Sequence, residues 1–343
     1  MLEIDSSKGE GGGQVVRSSV ALSAITGIEA KLTRIRENRP TNGLSKQHCI
    51  AVKAVADMTG SEVTGNHTGS RELLFIPGTS KTSDIELDIG TAGSISLVLQ
   101  AVMLAGRNHK ETLKVDVRGG TNVMWAPPID SYQQILFPLM ERMGIHARLE
   151  IIDRGFYPDG GGRVVAELDP INEISPLVID SLGSLKCVKG ICYIQQLKDK
   201  IKEDMIESCI DALGLECPVN IDVQRTEGTS KGAGLSLVAV YENGRLGSSV
   251  LTTKGHPAKQ AGEDVAKDLL KEIGSGATMD IHTADQLLPY MAMANGPSEF
   301  TVSRISKHLL SQMDTLETFL DVRFGVERRG NVYNLTVTPG EGR

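Results

Sequence analysis

His308 is the residue of this sequence whose type and position best suit covalent chemistry. It follows a strand-like stretch, Ser298–Val302, at the start of a helical pattern, and such junctions bring side chains of a packed scaffold into solvent. Arg304 and Lys307 precede it, and fixed positive charges disfavour protonation of an imidazole, which keeps it nucleophilic at neutral pH. The alternative is an inert histidine at a helix start. For an isolated histidine that alternative is favoured, so the rest of the chain decides.

A glycine-rich segment near the N-terminus, Gly9–Gln14, has the composition of an anion-binding loop. Consecutive glycines let backbone N–H groups approach an anion, and a following helix adds its partial positive charge. Glu10 within the loop would repel a phosphate unless a divalent metal bridged the two, as Mg²⁺ does. The alternative is a glycine turn with a solvent-facing glutamate. The segment matches neither of the two common glycine-rich nucleotide-binding patterns.

Cations cluster after this loop. Only two acids, Glu29 and Glu37, lie between Arg17 and Lys53 in a chain that is acidic overall. The guanidinium fork suits phosphate geometry, so this density of arginines at element ends predicts phosphate recognition. The alternative is a solvated basic rim. The residues in question are Arg17, Arg34, Arg36 and Arg39, with Lys46, Gln47 and His48 at the next helix.

Three further stretches place polar or rigid groups at predicted helix starts. Gly90–Ser96 is a second glycine-rich segment, with Gln100 about two turns along its helix. Pro127, in the turn after Trp125, offers a flat surface to a nucleobase, although a proline-capped helix start explains it equally well. Asp285 and Gln286 are polar residues in an otherwise apolar helix, and the alternative for Asp285 is an acid complementing the helix dipole.

These residues need a scaffold, and the periodicity predicts an α+β one. Helix-then-strand patterns recur along residues 1–180 and resume after residue 276, which indicates tandem βαββ-like units with sheets on one side and helices on the other. Residues 181–276 break the pattern and read as a smaller α/β insertion. The prediction is therefore a discontinuous domain, 1–180 and 277–343, interrupted by an inserted domain, 181–276, with the ligand site near their interface.

Composition narrows the class of protein. The 343 residues carry 36 Lys and Arg against 43 Asp and Glu, a net charge of -7, which argues against non-specific coating of nucleic acid but not against a local basic groove. No apolar run reaches the roughly 18 residues of a membrane span, so no membrane association is expected. Five irregularly spaced cysteines predict a reducing, cytoplasmic location and mainly structural thiols.

The ordered set of motifs resembles the RNA 3′-terminal phosphate cyclase family from end to end. Each motif alone is weak, but the set in this order is highly specific. The motifs are Gly9–Gln14 with Arg17, Ile35-Arg36 and Arg39 with Gln47-His48, Gly93-Ser94 with Leu97–Gln100, Gly119–Thr121 with Ala126–Pro128, Gly155–Pro158 with Gly160–Gly162, Ala284–Leu287, and Glu299–Thr301 with His308–Leu310.

The resemblance implies an ATP-dependent reaction in three nucleotidyl steps. The histidine takes AMP from ATP, passes it to an RNA 3′-phosphate, and the adjacent 2′-OH then displaces AMP to leave a 2′,3′-cyclic phosphate. It implies His308 as the nucleophile, Glu10 as the ligand of Mg²⁺ or Mn²⁺, and RNA 3′ ends bearing a terminal phosphate as partners. It implies that the remaining site residues contact ATP or RNA phosphates: Arg17, Arg36, Arg39, Gln47, Gln100, Pro127, Asp285 and Gln286.

Some positions depart from the family pattern, and two other functions compete. His282 and Ser131 stand where relatives carry aromatic or apolar neighbours of the base, and Ser311-Gln312 replaces Thr-Asn. A non-catalytic ribosome-assembly relative of the same fold is the runner-up, but such relatives lack the nucleophile. An enolpyruvyl transferase on a similar scaffold would have no use for a covalent histidine, although fold alone does not exclude it. Homodimerisation is left open.

Overall fold

A computed structural model describes residues 1–9 and 11–340 of the chain, and it contains four small sheets with helices packed against them. The first unit is a four-stranded sheet of order β1-β2-β4-β3, in which β1 and β2 are parallel. Its elements are β1 (Leu2–Asp5), α1 (Gly13–Thr26), β2 (Ala30–Thr33), α2 (Lys46–Thr59), β3 (Glu62–Thr64) and β4 (Leu73–Ile76).

The second unit repeats this arrangement. Its sheet has the order β5-β6-β8-β7, with β5 and β6 parallel. Its elements are β5 (Asp84–Asp88), α3 (Ile95–Ala105), β6 (Leu113–Gly119), α4 (Phe137–Arg142), β7 (Ala147–Asp153) and β8 (Gly162–Leu168). A π-helical turn, Tyr132–Leu136, leads into α4, next to Pro138, which has no N–H to donate within a helix.

The insertion follows, and its four-stranded sheet has the order β10-β9-β11-β12. Its apolar side chains form a second hydrophobic cluster, which includes Val188, Cys192, Leu235 and Leu269. The elements are β9 (Leu185–Gln195), α5 (Asp199–Leu213), β10 (Val219–Thr226), β11 (Gly232–Tyr241), β12 (Arg245–Leu251) and α6 (Ala258–Ser275).

The third unit is split by the insertion. Residues 177–179 run parallel to the strand that begins at Ser298, with Ile179 N–H donating to Glu299 O at 2.9 Å and Glu299 N–H donating to Leu177 O at 3.1 Å. This extended segment takes the place of a first strand, so the order matches the other two sheets. The elements after the insertion are α7 (Ile281–Met291), β13 (Ser298–Val302), α8 (Lys307–Phe319), β14 (Val322–Arg329) and β15 (Val332–Pro339), with sheet order β13-β15-β14.

One hydrophobic cluster joins the three units, because each helix buries an apolar face against its own sheet and its neighbours. Helices α1 and α2 end at Gly27 and Gly60, whose positive φ of 71° and 63° lets the chain turn back in the left-handed conformation that glycine favours. Helix α1 packs against α2, α3 and α8. That packing brings helix starts from distant parts of the sequence to one end of the layer.

The predicted α+β class is confirmed, and the repeating unit proves longer than predicted. Each unit has the order βαβαββ. The first strand of the second unit, β5, and the first extended segment of the third unit, residues 177–179, were not predicted from the sequence. Strand β5 alternates buried Ile85 and Leu87 with three acids, and acids are poor strand formers, which hid it. The sequence also predicts one helix over Ser131–Met143, and the structure divides this stretch into the π-helical turn and α4. The predicted domain limits stay a prediction.

In the described part of the chain, no helix is long and apolar enough to cross a membrane. The cytoplasmic location stays a prediction, and homodimerisation has no support in this single chain.

Candidate active site

A cleft of about 2120 Å³ opens between the three-unit layer and the insertion. It brings together nine of the ten residues to which the family resemblance assigned a role in catalysis or ligand binding, although they span almost 300 positions of the chain. The tenth, Glu10, lies outside the described residues. The nine that line the cleft are Arg17, Arg36, Arg39, Gln47, Gln100, Pro127, Asp285, Gln286 and His308. Arg34 and Lys46, which also belong to the predicted cation cluster, do not line it.

His308 is exposed on the first turn of α8, as the junction pattern predicted. Ser306 caps this helix, its Oγ accepting the N–H of Leu309 at 3.0 Å. The imidazole Nδ1 lies 3.0 Å from Oε1 of Gln14 on α1. An amide oxygen only accepts hydrogen bonds, so this contact favours the tautomer with the proton on Nδ1 and the lone pair on Nε2. Gln14 ends the glycine-rich segment, and the sequence alone indicates no role for its side chain.

Helix starts from several parts of the chain line the cleft. Gly13 of α1, Gln47 of α2, Ser94 before α3 and His308 of α8 all line it. A helix N-terminus has unsatisfied N–H groups and roughly half a positive charge, so it attracts anions. Their convergence creates a favourable field for phosphates without a Walker-type loop.

Two glutamines connect neighbouring units at this point. Gln47 on α2 accepts the N–H of Ser94 at 2.7 Å, and Gln100 on α3 accepts a hydrogen bond from Arg17 at 3.3 Å. Arg17 is buried on α1, one turn after Gly13, and lines the cleft. Gln100 thus orients a buried cation beside the helix starts, and a fixed guanidinium fork recognises phosphate better than a mobile ammonium.

Arg36 and Arg39 belong to the loop between β2 and α2. Arg36 adopts a left-handed backbone conformation with φ of 54°, which is strained for a side-chain-bearing residue, and its guanidinium donates to Gly43 O at 3.0 Å. Partial burial and the nearby charge of Arg39 lower the pKa of Arg36. Two like charges held close together in a half-buried loop favour binding of an anion between them.

His48 also lines the cleft. The sequence places it in the cation cluster but does not indicate the environment that the structure gives it. Burial, with the charges of Arg17 and Arg36, lowers the pKa of His48 to about 3, so the ring is neutral at physiological pH. Ser45 N–H donates to its Nδ1 at 3.1 Å, which places the proton on Nε2. A Cβ at Gly13 would lie 2.0 Å from that nitrogen, so glycine is required there. His48 is therefore a neutral donor beside the loop.

A less charged part of the cleft has features of a base site. Pro127 is held by Ser96, whose Oγ donates to Pro127 O at 2.7 Å. Gln286 donates to His282 O at 2.9 Å, and its buried Oε1 has no hydrogen-bond partner within residues 1–9 and 11–340. Such an acceptor suits an N–H of a bound ligand. His282 is exposed at the same wall.

Asp285 lies on the second turn of α7, because Asp280 is the N-cap and accepts the N–H groups of His282 and Thr283. The alternative interpretation, that Asp285 serves the helix dipole from the first turn, is therefore wrong. Asp285 lines the cleft instead.

The metal ligand proposed from sequence cannot be placed, since it is Glu10. Across the described ranges no group of three or more His, Cys, Asp or Glu side chains is arranged to hold a metal ion. The use of Mg²⁺ or Mn²⁺ therefore stays a prediction.

Comparison with known proteins gives one consistent result. Residues 8–326 match the protein family described as RNA 3′-terminal phosphate cyclase. A protein of that name from Nitrosospira multiformis is 37% identical over 99% of this chain and 97% of its own length. Those from Methanopyrus kandleri, 38% identical over 96% of both chains, and Pyrococcus furiosus, 37% identical over 97% of this chain and 98% of its own, agree.

Comparison with solved structures finds only weak structural similarity. The enolpyruvyl transferase NikO from Streptomyces tendae covers 98% of this chain and 81% of its own at 10% identity, with a TM-score of 0.28. That score is too low to carry an argument about fold or function.

Proposed function

This chain belongs to the RNA 3′-terminal phosphate cyclase family, and we propose that it uses ATP to convert an RNA 3′-terminal phosphate to a 2′,3′-cyclic phosphate through a covalent histidyl-AMP. The observation that supports the covalent route most is the hydrogen bond between His308 Nδ1 and Gln14 Oε1 at 3.0 Å. It favours the tautomer in which Nε2 is the nucleophile, at the point where helix starts and arginines face one cleft.

In the first step, Nε2 of His308 attacks the α-phosphorus of ATP. A bond from Nε2 to phosphorus forms, the bond from phosphorus to the bridging oxygen breaks, and pyrophosphate leaves. The ring gains positive charge as the new bond forms, and Gln14 Oε1 stabilises it by accepting the Nδ1 proton's hydrogen bond. Arg17, Arg36 and Arg39 are the groups that would offset charge on the phosphates. A bound Mg²⁺ would neutralise part of the same charge.

In the second step, an oxygen of the RNA 3′-phosphate attacks the adenylate phosphorus and the bond to Nε2 breaks, which returns His308 to its neutral state. In the third step, the vicinal 2′-OH attacks the activated 3′-phosphorus. AMP leaves, and the hydroxyl proton is released to water. This last step needs no new protein nucleophile, because the ribose already places the hydroxyl beside the phosphorus. It also explains a requirement for RNA ends.

The non-catalytic alternative is not favoured by the cleft. A binding module for RNA or protein has no need of a histidine with an oriented tautomer or of a buried arginine fixed by Gln100. The cleft retains both, along with the other described residues that the family resemblance assigns to ATP.

A product assay tests the proposal. A short RNA with a labelled 3′-terminal phosphate is incubated with ATP and Mg²⁺, or with Mn²⁺ in a parallel series, and the label is then challenged with phosphatase. Cyclisation makes the label resistant. The matched substrate has a 2′-deoxy terminal nucleotide, and with it the reaction is expected to stop at the adenylylated end. The AMP-capped end also resists phosphatase, so nuclease digestion and chromatography are used to separate it from a cyclic phosphate. A cyclic product that forms without ATP, or phosphatase resistance on the 2′-deoxy end without an AMP cap, would contradict the mechanism.

A further inference from the structure

Two large aromatic side chains are exposed on the rim of the cleft. Trp125 is 94% exposed and Tyr157 is 78% exposed, and both line the cleft that holds the arginines. Neither takes part in the chemistry described above. Soluble proteins usually bury much of their tryptophan surface, so an almost fully exposed tryptophan beside a ligand site needs an explanation.

The backbone conformation of Trp125 is unusual. Its φ is 66°, a left-handed conformation that is a genuine outlier for a bulky residue. Strain of this kind persists only where the surrounding structure imposes it, and it concentrates at functional sites. In this conformation the indole of Trp125 is exposed rather than packed in the core.

The loops that carry the two rings share one rigid base. Thr121 N–H donates to Gly155 O at 2.9 Å, which ties the start of one loop to the start of the other. Below them Arg154, only 1% exposed, pairs with buried Asp130 at 2.6 Å and donates to Asn122 Oδ1 at 3.0 Å. A buried ion pair with satisfied hydrogen bonds fixes geometry. The rings therefore project from a preorganised support.

A cation completes the rim. Ser230, in the insertion, is buried against the second loop, accepting Phe156 N–H at 2.8 Å and donating to Gly160 O at 3.0 Å. The next residue, Lys231, is exposed and lines the same cleft. The rim thus combines exposed aromatic faces with a positive charge from a second structural unit.

We propose that Trp125 and Tyr157 stack on bases of single-stranded RNA upstream of the 3′-terminal nucleotide, with Lys231 contacting the sugar-phosphate backbone between them. Aromatic side chains beside a positively charged groove are how proteins hold single strands without reading sequence. The two rings, Lys231 and His308 line one cleft, as a strand whose end lies at His308 requires. This inference rests on the proposed function, since it supplies the rest of that substrate's binding site.

The chain offers an internal probe. It contains a single tryptophan, so tryptophan fluorescence reports Trp125 alone. A 3′-phosphorylated RNA hexamer is titrated without ATP, so that no turnover occurs, and the same sugar-phosphate chain lacking the five upstream bases is the matched ligand. We expect the hexamer to quench the fluorescence strongly and the abasic ligand to quench little, because stacking requires the base.

Variants separate stacking from general effects. Labelled-hexamer anisotropy is expected to show the Kd rising by about fivefold or more for Trp125→Ala and for Tyr157→Ala, whereas Trp125→Phe stays near the wild-type value. Ile210→Ala is the control, because Ile210 is an exposed apolar residue on α5 outside the cleft. Its Kd is expected to match the wild type.

Equal affinity for the hexamer and the abasic ligand would overturn the inference, and so would an unchanged Kd in both alanine variants. Either result would return the rim to another role, such as a protein-binding surface. Failure of the proposed function is seen separately, as absence of cyclic product from the wild-type protein.

Discussion

His308 and Gln14 are 294 positions apart in the chain, on α8 and α1, and their side chains meet with 3.0 Å between Nδ1 and Oε1. The contact exists because α1 packs against α8, which unites the first and third units of the repeat. Its chemical consequence is the choice of tautomer. A histidine that donates from Nδ1 to an amide oxygen presents the lone pair of Nε2 to its substrate.

Replacing Gln14 is expected to alter the pH dependence of the first step. In Gln14→Glu a carboxylate faces Nδ1 and stabilises the imidazolium, which raises the pKa of His308. Since only the neutral ring attacks, the acid limb of the rate of AMP-adduct formation moves to higher pH. Gln14→Ala loses the hydrogen bond without adding charge, and its rate is expected to fall about tenfold, with no such upward shift. Coinciding pH profiles for Gln14→Glu and the wild type would count against the contact's role.

His48 predicts a pH-dependent stability. Its pKa is about 3 in the folded protein against about 6.5 unfolded, so below pH 6.5 the unfolded chain binds the proton first. The contribution of the neutral His48 ring to the free energy of unfolding is complete above pH 6.5. It is lost as the pH falls toward 3, at up to about 1.4 kcal/mol per pH unit. Urea unfolding at pH 7, 6 and 5 measures this slope.

His48→Gln is expected to be less stable at pH 7 yet to lose less stability on acidification than the wild type. His67→Gln, at an exposed position, is the matched control and keeps the wild-type slope. The account of a buried neutral imidazole fails if the His48 variant and the wild type show parallel pH dependence.

Arg17→Lys tests whether ATP binding in the cleft depends on the guanidinium fork of Arg17 rather than on its charge alone. Lysine keeps the charge but lacks the planar fork that Gln100 orients, so ATP binding is expected to weaken about tenfold or more. Equilibrium binding of ATP to the protein measures it. Arg328→Lys, on an exposed part of β14, serves as the control. Equal affinities for both variants would show that Arg17 acts as a simple positive charge or not at all.

The buried pair of Arg154 and Asp130 is expected to be a stability determinant. Arg154→Met leaves a buried carboxylate without its partner and is expected to lower the free energy of unfolding by about 3–5 kcal/mol. Arg163→Met is the comparison, since Arg163 pairs with Asp116 at the same 2.6 Å but is partly exposed. There the loss is expected to be much smaller, because solvent screens the pair. Urea unfolding of both variants decides, and similar losses would contradict a special role for burial.

The sequence was sufficient where function depends on residue type and local pattern. The arginines after the glycine loop and the histidine at a strand-to-helix junction are visible without a structure. Arg17, Arg36, Arg39 and His308 line one cleft, whereas Arg34 pairs with Asp5. The sequence also predicts an amphipathic helix over Asp199–Leu213 and an extended piece over Arg245–Leu251, and α5 and β12 have these bounds. Whether the nine residues have the assigned roles stays a prediction.

What the sequence could not supply depends on packing between distant elements. Gln14 gains its role only from the contact between α1 and α8, and His48 only from burial beside two arginines. The extended segment 177–179 pairs with β13 across more than a hundred residues, so no local pattern marks it. Trp125 reads as part of a turn until its exposure and backbone conformation are known.

The central claim is that His308 becomes covalently adenylylated, and labelling with ATP carrying the label on its α-phosphate tests it most directly. The wild-type protein with Mg²⁺ is expected to form an adduct that acid cleaves and alkali does not, as a phosphoramidate behaves. His146→Ala, at an exposed histidine outside the cleft, is expected to label like the wild type, and His308→Ala not to label. Absence of the adduct from the wild type, or its persistence in His308→Ala, would contradict the account.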